Sequence, residues 1–162
     1  MPDAHGSLSE KKSVPTKTIL IVEDDASVGQ FLELAVSQET AHTPLLAATS
    51  EHALEVALHA KPDLFILDYY LDHHTTGIDL YDQLHAQPEL AAVPAIILTA
   101  SLEKHQPEID QRQLVGMAKP LELDNLLLCI EQLLSILAMH PQLPLSSFSS
   151  GLCAETEREC SA

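Results

Sequence analysis

Five short, nearly unbroken apolar runs, each closing on polar or charged residues, constrain the fold of this chain more than any other feature. Thr18-Ile19-Leu20-Ile21-Val22 is followed by Glu23-Asp24-Asp25, and Leu64-Phe65-Ile66-Leu67 by Asp68. Val93 to Leu98 is followed by Thr99-Ala100-Ser101, Leu114 to Ala118 by Lys119-Pro120, and Pro44 to Ala48 is the remaining run. A strand with one wet face alternates apolar and polar residues, whereas a continuous apolar run fits a strand covered on both faces. Between the runs, apolar residues return at helical spacing: Val28, Phe31, Leu32 and Ala35, then Ala53, Leu54, Ala57 and Leu58. A third helix is predicted from about Ile78 to Ala86, and the broadest stripe runs from Leu123 to Leu137. Parallel strands need crossover connections, so the pattern predicts an α/β fold: a doubly wound, five-stranded parallel sheet with helices on both faces.

Local signals refine this outline. Asp25 reads as the N-cap of the first helix, Ser50 as the cap of the second, and Pro62 as its stop. The fourth helix is the weakest element, because Ile109 is the one clear large apolar residue between Leu102 and Gln113 and Pro107 interrupts the stretch; it is expected to be short and mobile. Residues 1–16 are polar, carry two prolines and read as a flexible lead-in to a domain at 17–138. Residues 139–162 bring prolines and a serine cluster without apolar periodicity, and read as a disordered tail rather than an output domain.

With 24 acidic against 8 basic residues the formal net charge is −16, which repels nucleic acid and anionic membrane surfaces alike. No apolar run approaches the roughly 20 residues of a membrane-spanning helix, and the N-terminus has no secretory apolar core, so the expected setting is the cytoplasm. Three cysteines, Cys129 in an apolar helix and Cys153 and Cys160 in the tail, do not suggest a disulfide framework.

Ligands of open parallel α/β sheets bind at the carboxyl ends of the strands. There this chain gathers Glu23, Asp24 and Asp25, then Asp68, Thr99 with Ser101, and Lys119. Clustered carboxylates repel one another and call for a cation; Mg2+ suits them, since it prefers oxygen ligands and needs only one or two carboxylates.

These residues resemble the receiver domains of bacterial two-component response regulators. The resemblance covers about Lys17 to Leu137 and rests on Glu23-Asp24, Asp68, Thr99-Ala100 and Lys119-Pro120, with intervals of 44, 31 and 20 residues from Asp24 to Asp68, Thr99 and Lys119 in turn. It implies a flavodoxin-like fold in which Asp68 is the phosphoacceptor, taking a phosphoryl group from a phosphohistidine on a sensor kinase or histidine phosphotransfer protein. It further implies that Asp24 and Asp68 bind Mg2+ directly, Glu23 through water, and Tyr70 through its main-chain carbonyl. Lys119 would offset charge on the phosphoryl oxygens, and Thr99 would swing its hydroxyl onto the new phosphate. Such a protein catalyses only its own phosphorylation and dephosphorylation, and signals by contact with a downstream protein, without direct nucleic acid binding or membrane insertion. The reading is of a stand-alone receiver. Gly77 matches the glycine opening the family's third helix, where a backbone turn is at stake.

The chain also departs from the pattern. Gly116 stands three residues before Lys119, where the family usually carries Phe or Tyr, a ring that rotates when the threonine moves. The loop from Asp68 to Gly77 is longer than common and lacks the usual proline; it carries His73 and His74, read as exposed loop histidines, with tuning of the site as the alternative. The departures keep open a receiver-shaped module that binds its partner independently of phosphorylation. Two other readings fail on residues. A phosphatase of the haloacid dehalogenase type needs Asp-x-Asp where this chain has Glu23-Asp24-Asp25, and neither G-x-G-x-x-G nor a P-loop follows Val22.

Overall fold

The computed structural model describes residues 15–72 and 74–139. The expected segments 1–16 and 139–162 fall almost wholly outside the described residues, as do His73, Cys153 and Cys160. The elements alternate as anticipated: β1 (Thr18–Val22), α1 (Ala26–Glu39), β2 (Thr43–Ala47), α2 (Ser50–Ala60), β3 (Leu64–Asp68), α3 (Gly77–His85), β4 (Ala95–Thr99), α4 (Leu102–Gln111), β5 (Val115–Ala118) and α5 (Leu123–Met139). All pairings are parallel and the strand order is β2-β1-β3-β4-β5.

Successive strand residues point to opposite faces, which divides the apolar runs between two cores. Leu20, Val22, Phe65, Leu67 and Ile97 pack with Ala53, Ala57, Leu80, Leu84 and Ile109 on the face covered by α2, α3 and α4. Ile19, Ile21, Leu64, Ile66 and Leu98 pack with Leu32, Val36, Leu126 and Ile130 on the face covered by α1 and α5. Each fully buried side chain of this size contributes about 1.5–3 kcal/mol, so burying β3 and β4 end to end is the main reason the centre of the sheet is fixed.

The ends of the elements show how local chemistry sets the site. Asp25 caps α1 as expected, accepting from the Ser27 and Val28 N–H groups. The cap of α2 is Thr49 rather than Ser50, its hydroxyl accepting from His52 N–H, and Ser50 is the first helical residue; either hydroxyl can cap, and the register of the chain decides. Before Pro62, Lys61 turns left-handed at φ 48° and closes the helix. Thr76 and Asp79 cap α3 reciprocally. The weak fourth segment forms ten helical residues in spite of Pro107, because His105 and Ile109 are buried beneath it.

Gly77 is needed for a different reason than the turn expected. Its φ is not in the left-handed region; instead a Cβ there would overlap the Asp68 carbonyl oxygen and lie 3.1 Å from the carbonyl carbon. The Gly77 N–H also donates to the Tyr69 carbonyl at 2.7 Å, so α3 starts directly against the end of β3.

Candidate functional site

The strand order reverses direction of growth between β1 and β3, and the loops after their C-terminal ends diverge into a crevice. Glu23 and Asp24 follow β1, and Asp68 is the last residue of β3. The register that pairs Val22 with Leu67 places these carboxylates side by side. One carboxylate oxygen from each of Glu23, Asp24 and Asp68 lies within 4.8 Å of the others. Glu23 and Asp68 are buried and Asp24 is exposed.

Lys119 reaches the same place from the end of β5. Its Nζ lies 3.0 Å from Asp68 Oδ1 and 3.2 Å from Glu23 Oε2, and its backbone N–H is fixed to the Thr99 carbonyl at 2.9 Å. The following Lys119–Pro120 peptide is cis. Burial draws the ammonium pKa down, but the bonds to Asp68 and Glu23 outweigh it and the net shift is upward, so the group stays charged. For Glu23 burial wins: burial first, then repulsion from Asp68, pushes its carboxyl up to about 7, against the Asp25 N–H bond and Lys119, which pull it down.

Thr99, buried at the end of β4, stands between the Asp68 and Lys119 strands. Its hydroxyl accepts from the Ser101 N–H at 3.1 Å, and Ser101 is the N-cap residue of α4. Tyr70 lies two residues beyond Asp68, in a turn closed by an antiparallel bridge to Thr76. Asp25, counted in the sequence with the other strand-end acids, is taken up by capping α1. His74 is exposed, its N–H held by Asp72.

Comparison with known proteins decides the family. The family model for the response regulator receiver domain matches residues 19–131. The chain belongs to the response regulator receiver family. Among curated relatives, this receiver is 35% identical over 88 residues to the phosphate regulon transcriptional regulatory protein PhoB of Pseudomonas aeruginosa, covering 54% of the chain and 38% of PhoB. It is 30% identical over 118 residues to the response regulator ArlR of Staphylococcus epidermidis, covering 72% of the chain and 52% of ArlR. The receiver thus spans about half or less of the length of these relatives. Among solved structures, chemotaxis protein CheY4 of Vibrio cholerae superposes with a TM-score of 0.66 at 25% identity, over 73% of this chain and 98% of that one. Among the described residues, no helix is long and apolar enough to cross a membrane.

One part of the receiver was not legible in the sequence. Tyr69, buried, stacks on the buried His105 ring of α4 with centroids 3.5 Å apart and planes at 20°. Its hydroxyl donates to Glu108 Oε2 at 2.8 Å, while the Tyr70 hydroxyl lies 3.1 Å from His105 Nε2. The sequence signal is slight: a tyrosine doublet after the strand-end aspartate, and a histidine and a glutamate three residues apart in the weakest helix.

Proposed function

We propose that Asp68 is the phosphoacceptor of a two-component or phosphorelay signalling switch. The observation that carries this reading is the Lys119 ammonium bridging Asp68 and Glu23 beside Asp24 at the carboxyl edge of the sheet. An Asp68 oxygen attacks the phosphorus of a phosphohistidine on a sensor kinase or histidine phosphotransfer protein; the O–P bond forms as the P–N bond breaks, and the imidazole leaves with the bonding pair. A carboxylate is already ionised at neutral pH and needs no general base.

Three carboxylates against one ammonium leave the crevice negative, and burial makes Glu23 costly to ionise; both fit a site for a divalent cation with oxygen ligands. Asp24 and Asp68 would hold Mg2+ directly, Glu23 through water, and the Tyr70 main-chain carbonyl would complete the protein's share. Bound Mg2+ supplies positive charge opposite the transferring phosphoryl oxygens. Lys119 pairs with a phosphoryl oxygen, and Thr99 leaves Ser101 to donate its hydroxyl to another. The receiver then signals through an altered contact with a downstream protein.

Intact mass after incubation with Mg2+ and acetyl phosphate tests the reading. One Mg2+-dependent phosphoryl adduct, absent from Asp68→Asn, is expected; no adduct with any small donor favours binding of the partner independently of phosphorylation.

A further inference from the structure

The β5 position three residues before Lys119 is Gly116 and carries no ring. A Cβ on Gly116 would lie 2.7 Å from Leu102 Cδ1 and 3.0 Å from Ile109 Cδ1, so side chains of α4 lie directly over this position. The rings near the site are instead attached directly behind Asp68. Tyr69 stacks on His105, Tyr70 meets the same histidine edge-on with centroids 5.6 Å apart, and the two tyrosines meet each other at 4.8 Å. Resting on the phosphoacceptor reading above, we propose that the Tyr69–His105 stack, braced by Tyr70 and Glu108, is the coupling element that carries the phosphorylation state of Asp68 to α4.

Both ends of this path are on strand termini of the site. At one end, the Thr99 hydroxyl accepts the N–H of Ser101, a cap residue that makes no side-chain cap of its own. When Thr99 turns to the phosphate, that N–H loses its acceptor and the start of α4 is released. At the other end, Tyr69 is covalently next to Asp68, and its N–H is bonded to the Leu98 carbonyl of β4 at 2.8 Å. Its hydroxyl donates to Glu108 Oε2 at 2.8 Å, which ties the ring to α4.

The helix between these ends is built to yield. Pro107 has no N–H for the Glu103 carbonyl, and it falls between His105 and Glu108, the two residues the tyrosines hold. Beyond Glu108 the connection continues: Arg112 donates from Nη1 to the Glu108 carbonyl at 3.3 Å and forms a two-pronged pair with Asp82 of α3 at 2.8 Å. The surface expected to change is therefore the α3–α4 face. His105 and Glu108 are positioning residues in this scheme; neither touches the phosphoryl group.

The test uses the full chain, with intact mass establishing phosphorylation of every sample and deuterium exchange reading residues 102–111. Phosphorylated wild type is expected to change exchange in α4, and its tyrosine signals should change as well, in a chain with no tryptophan to mask them. In His105→Ala the adduct should form as in wild type while the phosphorylation-dependent change in α4 shrinks about fivefold or more. Tyr69→Phe keeps the ring and removes only the bond to Glu108; it guards against a folding defect and should give an intermediate loss. A full α4 response in phosphorylated His105→Ala and Tyr69→Phe, or a phosphorylated wild type with silent tyrosines, overturns the coupling role alone. Failure of wild type to take any phosphoryl group overturns the phosphoacceptor reading and the coupling role with it.

Discussion

Two clusters leave the C-terminal end of β3 in different directions, and they are held together by different physics. Asp68 joins Glu23, Asp24 and Lys119, a group of like charges that one ammonium only partly offsets. Tyr69 and Tyr70 join His105 and Glu108, a cluster of stacked rings whose hydroxyls have partners. The first opposes folding and is kept in place by the sheet; the second favours folding and helps keep α4 in place. Reactive charge can thus be concentrated at a strand end because the neighbouring residue anchors the loop by packing.

That contrast can be broken most severely at Asp68 itself. Asp68→Asn should remove phosphorylation completely while leaving the stack intact, read by intact mass and tyrosine emission. Lys119→Ala comes next: it leaves Glu23 and Asp68 without their cation, and the rate of adduct formation from acetyl phosphate should fall about a hundredfold.

A third experiment titrates Glu23. Its folded pKa of about 7 lies above the ordinary 4.5, so its contribution to stability is fully present below pH 4.5 and is lost as pH rises through about 7. Metal-free wild type should therefore lose melting temperature between pH 5 and pH 8 relative to Glu23→Gln. If Glu23 serves Mg2+ as proposed, binding should weaken by up to about tenfold per pH unit below that pKa and release a proton, measurable by calorimetry in two buffers.

Gly77→Ala should cost about 2 kcal/mol in chemical denaturation, because backbone rather than a flexible side chain fills the space. The smallest effect belongs to Asp25→Ala, about 1 kcal/mol from the lost cap, with the rate of phosphorylation unchanged.

The ionic cluster was legible in the sequence because its members sit at strand ends. An apolar run announces its own end, and the parallel register then carries Glu23, Asp68, Thr99 and Lys119 to one edge whatever lies between. Strand limits moved by a residue or two, Pro44–Ala48 becoming Thr43–Ala47 and Val93–Leu98 becoming Ala95–Thr99, without altering which residues end up together. The aromatic cluster could not be read this way. His105 lies in a polar segment interrupted by proline, and only tertiary contact with Tyr69 and Ile109's burial against the sheet make the segment a helix. Gly77 opens α3 as expected, but the close approach of α3 to β3 that it permits leaves no trace in sequence beyond the glycine itself.

The most direct test of the central claim is to reduce the phosphorylated protein with borohydride, which converts an aspartyl phosphate to homoserine, and to map the product by peptide mass spectrometry. Homoserine at Asp68, formed only with Mg2+, is the expected result. Homoserine at Asp24 or another carboxylate, with Asp68 unchanged, would contradict it.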